Sequence, residues 1–337
     1  MKSKRKYLLL FVTFALVISL SACKSNDIDK VENDIENEVE KVEEKLEKVD
    51  INVAGLKGAT TIGLAKLVDE EETNDFDIDF EMYNMPEEIV AGLTKGEIDI
   101  AAVPANLASV LYNKTEGEIQ VASVNTLGVL YIVENSDDIK DINDLEGKTI
   151  YTLGKGTTPE GVLNSFIKEN NLENVNIEFK QEASEIAAIL NKEENVIAMI
   201  PEPFVSVVSM KNENVRRVFD MADEWEKINN SPQVTGVLVA RKEFIDNNKE
   251  VFDKFLEEYE KSINFANENV TEVSKIVEDF EIVPEGLGEK SIPNINMQYI
   301  DGSDMQEAVS KYLEKLYEFE PKLVGGKLPD EGFYYKK

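Results

Sequence analysis

From Ile51 onward, short runs of apolar, β-branched residues alternate with stretches in which apolar positions recur every three or four residues. The first spacing is that of a buried strand and the second that of an amphipathic helix. Strands are expected at 51–53, 77–82, 98–103, 120–124, 127–133, 148–152, 175–179, 196–200, 215–220 and 233–240. Helices are expected at 61–68, 87–95, 106–113, 161–170, 183–191, 204–210, across 243–280 and at 304–318. Pro86 suits the first turn of its helix, since the N–H that proline lacks has no partner there. Asn125-Thr126 interrupts the apolar run and separates two strands. Strands joined by helices of this length predict a mainly parallel α/β sheet.

The same pattern divides the chain. Residues 51–135 read as the first part of lobe 1 and 136–232 as lobe 2, with the crossing at 133–138. Residues 233–337 return to lobe 1 and add the C-terminal helices. Two crossings imply a hinge, and a hinge around a cleft implies closure on a ligand. Ahead of the body, Ile28, Ile35, Val42 and Val49 recur every seven residues within a highly charged segment. Residues 23–50 therefore read as a tether with a narrow apolar stripe, either a short coiled coil or a spacer.

One motif appears in each half. Lys57-Gly58-Ala59-Thr60 and Lys155-Gly156-Thr157-Thr158 align on their lysines, and Gly63 and Gly161 then share an offset. Each copy follows a strand and precedes a helix. Glycine permits a tight turn and close approach to a ligand, while a helix start offers unpaired N–H groups. Two such corners suggest two lobes facing one small molecule. Ordinary strand-to-helix turns would carry the same residue types.

Composition narrows the chemistry. The 337 residues are 42% hydrophobic, enough for more than one core, and include one cysteine and no histidine. Imidazole bases, Cys–His nucleophile pairs and Cys/His metal sites are excluded. No cofactor or metal is expected. The net charge of −31 disfavours nucleic acid and anionic membrane surfaces as partners.

The N-terminus speaks to compartment. Lys2, Lys4, Arg5 and Lys6 precede an apolar run at 7–20, and Leu20-Ser21-Ala22-Cys23 ends it. A basic start, an apolar centre and small residues at the end make residues 1–22 a signal peptide. The ending resembles a bacterial lipobox, which implies lipidation of Cys23 and a body held by that anchor at the outer face of the cell membrane. A single cysteine is then an attachment point and not half of a disulfide.

Further segments carry a family resemblance: Gly-Glu-Ile-Asp-Ile-Ala-Ala-Val-Pro-Ala-Asn at 96–106, Asp-Leu-Glu-Gly-Lys-Thr-Ile at 144–150, Gly-Lys-Gly-Thr-Thr-Pro-Glu at 154–160 and Pro-Glu-Pro-Phe at 201–204. With the lipobox and the first corner, they resemble the substrate-binding lipoproteins of ABC importers, of the nitrate/sulfonate/taurine and thiamine-precursor type. The resemblance spans about 51–320 and implies the α/β, two-lobed type II periplasmic-binding-protein fold with a hinged cleft. It also implies a small organic ligand, a permease and its ATPase as partners, and no catalysis. A monomer is expected.

Carried over by position, the resemblance implies ligand contacts at Lys57, Gly58, Thr60 and Thr61, at Tyr83 and Asn84, and at Pro104 and Asn106. It adds Asn125 and Thr126 near the crossing, Gly156, Thr157 and Thr158 on the second corner, and Glu202. Tyr83 either stacks on a planar ligand or covers core. A carboxylate at Glu202 suits an amine and opposes an anion; otherwise Glu202 is a solvated turn residue. Trp225 lies in an acidic run, lining the cleft mouth or capping a helix. The only arginines after the signal region, Arg216, Arg217 and Arg241, lie outside these loops, so an arginine clamp on an oxyanion is not evident. Together these features favour an amine-bearing or neutral heterocycle over an alkylsulfonate. The alternatives are an enzyme of the same fold acting on a pyrimidine-like substrate, and a surface sensory module.

Overall fold

The computed structural model describes residues 48–70 and 75–337. The expected signal peptide, Cys23 and nearly all of the expected tether lie outside the described residues.

Among the described residues, eleven strands form two sheets. The first sheet has the order β11-β4-β10-β3-β1-β2, built from β1 (Val49–Leu56), β2 (Phe76–Tyr83), β3 (Ile100–Pro104), β4 (Ile119–Thr126), β10 (Gly236–Arg241) and β11 (Met297–Ile300). The second has the order β7-β6-β8-β5-β9, from β5 (Leu130–Glu134), β6 (Thr149–Leu153), β7 (Asn176–Lys180), β8 (Ile197–Pro201) and β9 (Arg216–Asp220). The central strand β3 reads Ile-Ala-Ala-Val-Pro and is buried almost throughout, whereas the edge strand β2 alternates apolar residues with Asp77, Asp79 and Glu81. Charges on an edge discourage pairing with another chain.

Both sheets are mixed, and the expectation of mainly parallel sheets is corrected. β1 runs parallel to β2 and β3, but β10 lies antiparallel between β3 and β4. In the second sheet β6 is parallel to β7 and β8, while β5 is antiparallel to β8 and β9. The strands at the two crossings, β5 and β10, run antiparallel to their neighbours, and the edge strand β11 runs antiparallel to β4 as well.

The first crossing is also displaced. Asn125 and Thr126 complete β4, and β5 already belongs to the second sheet. The change of sheet thus falls at 127–129 and not at 133–138. The apolar run at 127–133 conceals it, because crossing segment and strand are equally buried.

The described helices are α1 (Ala65–Asp69), α2 (Pro86–Lys95), α3 (Ala105–Lys114), α4 (Thr158–Glu169), α5 (Ala183–Lys192), α6 (Phe204–Lys211), α7 (Met221–Asn229), α8 (Lys242–Glu268), α9 (Val270–Asp279), α10 (Gly288–Ser291) and α11 (Gly302–Phe319). In α11, Met305, Ala308, Val309, Tyr312, Leu313 and Leu316 form one buried stripe at helical spacing. The stripe packs on α3 and β4 of the first lobe and also reaches α4 of the second. Trp225 on α7 is 3% exposed and meets the Tyr312 ring edge-on at 5.4 Å. It is therefore core, correcting its expected place at the cleft mouth or a helix cap; Asp220 caps α7 instead.

Candidate functional site

A cavity of about 1110 Å³ lies between the sheets. The first lobe supplies Leu56 to Thr60, Pro104, Thr235 and the segment 278–285; the second supplies Pro201, Glu202, Pro203, Phe204 and Val207. Val129, in the first crossing, also lines it. Strand carboxyl ends from both sheets thus meet at one gap, where open α/β sheets hold their ligands.

The first corner is built for this gap. β1 ends at Leu56, and Gly58 adopts φ +124, a backbone region essentially reserved for glycine. A six-residue 3₁₀ helix follows, Ala59–Leu64, before α1 begins. The α-helix expected over 61–68 thus opens as 3₁₀, because Thr61 donates its hydroxyl to the Leu56 carbonyl at 2.6 Å and pulls the turn tight against the strand. Gly58 N–H donates to Ile282 O at 3.0 Å and joins the corner to the loop beyond α9. Lys57 Nζ, half-exposed, pairs with Glu281 at 2.9 Å and holds that carboxyl below its usual range.

Five of the fourteen residues singled out by resemblance line the cavity: Lys57, Gly58, Thr60, Pro104 and Glu202. Thr61 lies behind the wall. Tyr83 donates its hydroxyl to Glu81 at 2.6 Å, and that bond and burial push its pKa up to about 12. Asn84 is exposed and Asn106 half-buried, both off the cavity. Thr126 is sealed within β4. Asn125 is fully buried and off the cavity; it and Thr60 both crowd Gly236, where an added Cβ would stand 2.3 Å from Asn125 Oδ1 and 2.8 Å from Thr60 Cγ2.

The second corner takes a different course. Gly156 is exposed at φ +76, and its N–H donates to Glu160. The Thr157 hydroxyl donates to Gly154 O. Thr158 sits beside the Tyr312 hydroxyl. None of these three lines the cavity. The second lobe meets the gap through 201–204 instead.

Glu202 is not a solvated turn residue. Its side chain is fully buried; one oxygen pairs with Arg217, and the other accepts the Ser206 N–H at 3.2 Å, at the start of α6. Burial pushes its carboxyl up, opposed by Arg217 and Ser206. Arg217 also lies over the Tyr131 ring, 5.3 Å from its centroid. The sequence reading found no arginine near the contact loops; β9, antiparallel to β5, brings one from 15 residues away. Thr235, Phe204, Val207 and 278–285 also escaped that reading. Thr235 lay within the strand expected at 233–240, and 281–285 carries only a loop signal.

Among the described residues no cluster of three or more potential metal ligands occurs, and no helix is long and apolar enough to cross a membrane.

Solved structures share this architecture. An ABC transporter protein from Parabacteroides distasonis is 25% identical, with a TM-score of 0.74 over 86% of this chain and 100% of its own. The periplasmic aliphatic sulphonate binding protein of Escherichia coli is 14% identical, with a TM-score of 0.68 over 85% of this chain and 92% of its own. The ligand-binding component of an ABC-type import system from Staphylococcus aureus is 16% identical, with a TM-score of 0.61 over 85% and 98%. The fold is the type II periplasmic-binding-protein fold. No curated protein sequence matches the chain. Residues 61–318, including both sheets' central strands and most of the cavity wall, match the family model described as menaquinone biosynthesis, and the chain belongs to that family.

Proposed function

We propose that this protein is an extracytoplasmic solute receptor, lipid-anchored at Cys23 and monomeric, that captures a small organic molecule between its lobes. It hands that molecule to an ABC permease and its ATPase. The cavity between the two strand-end surfaces carries the reading, and likeness to ABC import proteins supports it. Lys57, Gly58, Thr60, Pro104, Thr235 and Glu202 are the proposed contacts.

The ligand class follows from how charge is already used. The start of α6 would attract an anion, but Glu202 occupies it. The one guanidinium beside it is paired with the same carboxylate. Lys57 is paired with Glu281, and Glu278, Asp279 and Glu285 add negative charge at the mouth against Lys275. Thr60 and Thr235 offer neutral hydroxyls between apolar walls. A neutral or amine-bearing heterocycle fits this inventory better than an alkylsulfonate. Mass spectrometry of the small molecule released on denaturation should find such a compound, and calorimetry should show heat with 4-aminopyrimidine and none with taurine. The reverse pattern would overturn the ligand class.

The family's description favours one second reading, an enzyme on this fold. With no histidine in the chain, Glu202, whose carboxyl burial pushes up, is the buried carboxyl in the cavity wall that could serve as an acid–base group. Recovering the bound compound chemically altered after incubation would favour catalysis; recovering it unchanged favours transport.

A further inference from the structure

Two hydrogen bonds tie the lobes together beside Glu202. On α6, Ser206 Oγ donates to the carbonyl of Lys290 at 3.2 Å. On β5, the Tyr131 hydroxyl donates to the carbonyl of Asn294 at 2.7 Å. Both acceptors lie in the segment 288–294, whose Ile292 packs into the first lobe's core. Val207, next to Ser206, packs against that same core.

Arg217 touches every second-lobe part of this contact. Its guanidinium pairs with Glu202, lies 3.4 Å from Ser206 Oγ and covers the Tyr131 ring. One rigid, planar group thus links the cavity's buried carboxylate to both donors. A lysine could keep the charge but could not span all three.

We propose that Arg217 is a positioning residue that couples Glu202, at the cavity wall, to an interlobe clasp formed by Ser206 with Lys290 and Tyr131 with Asn294. The coupling rests on the solute-receptor reading. A ligand N–H on Glu202 fixes the carboxylate where it holds Arg217 against both donors, so binding tightens the clasp. By reciprocity, loosening the clasp lowers ligand affinity by the same factor.

Hydrogen exchange of the full chain without ligand tests the coupling directly, because the amides of Lys290, Ser291 and Ile295 are hydrogen-bonded within this segment. Tyr131→Phe should speed exchange across 287–295 by about tenfold. Arg217→Lys and Glu202→Gln should each do so by a similar factor, while amides of β6 and β7 keep their protection. Combining Glu202→Gln with Tyr131→Phe should add less than the product of the single effects, as expected for groups acting through one another. Acceleration by Tyr131→Phe alone would mean a clasp that does not sense the cavity and would overturn the proposal. Unchanged exchange in all three variants would show that no clasp exists. Absence of heat with 4-aminopyrimidine counts only against the ligand class proposed above; the exchange result still decides the role of Arg217.

Discussion

The two Lys-Gly-x-Thr corners share residue types, spacing and position after a strand, yet they occupy opposite kinds of environment. The first is buried from Ala59 to Leu64 and forms the cavity wall. The second is exposed from Lys155 to Thr157 and closes on itself, with Glu160 bonding Gly156 and Thr157 bonding Gly154. What separates them is the packing partner. Behind the first corner stands α8, with Tyr259 and Ile263 fully buried against Gly63. At the same offset in the second stands Phe319 at the end of α11, an exposed ring. A motif thus specifies a turn, while the element packed behind it decides whether the turn becomes a wall.

The largest expected effect comes from filling the equivalent glycines. A Cβ on Gly63 would stand 2.7 Å from Ile263 Cγ1, in a core with no slack. Gly63→Ala should cost about 2 kcal/mol, as overpacking does, and lower the melting temperature by roughly 4–8 °C. A Cβ on Gly161 would meet Phe319 Cδ1 at 3.0 Å, but that ring can shift toward solvent, and alanine favours the helix. Gly161→Ala should therefore be within about 0.5 kcal/mol of neutral. Equal losses in thermal melts would erase the distinction between the corners.

The ligand provides the next contrast. Thr60→Val keeps shape and removes a hydroxyl from the cavity wall, so affinity for the co-purified molecule should fall about tenfold. Thr158→Val, off the cavity, should leave it unchanged. Thr61→Val strips a buried donor from the Leu56 carbonyl and should cost about 1 kcal/mol of stability, read in urea melts, against a few tenths for the exposed Thr157→Val.

These contrasts bear on how far the sequence could be read. Strand and helix positions were legible because each element carries its own periodicity: β3 is a continuous apolar run and α11 a clean stripe. The 3₁₀ opening at Ala59 was not, since it depends on the Thr61 hydroxyl choosing the strand's own carbonyl. The crossing at 127–129 was hidden because its residues are as apolar as the strand that follows. Of the site, Lys57, Gly58, Thr60, Pro104 and Glu202 were legible from motif positions at strand ends. Arg217 was not, because its role depends on an antiparallel pairing that local sequence does not announce. The resemblance between the corners misled in one respect: local pattern cannot show that Thr158 turns toward Tyr312.

The smallest effect is a slope with pH, and it tests why the second lobe meets the cavity through Glu202. Burial raises this carboxyl above its ordinary 4.5 while Arg217 opposes the shift. A carboxyl raised in the folded state favours folding when protonated, so its contribution is present below about pH 4.5 and is lost as pH rises through the folded value. Glu202→Gln has nothing to titrate there. The stability of the native protein relative to that variant should therefore be greatest in acid, decline above pH 4.5, and level off once Glu202 is ionised. Urea melts of both proteins between pH 4 and 8 would show it. A relative stability that climbs with pH would mean that the ion pair with Arg217 outweighs burial, and that this wall holds a settled negative charge before any ligand arrives.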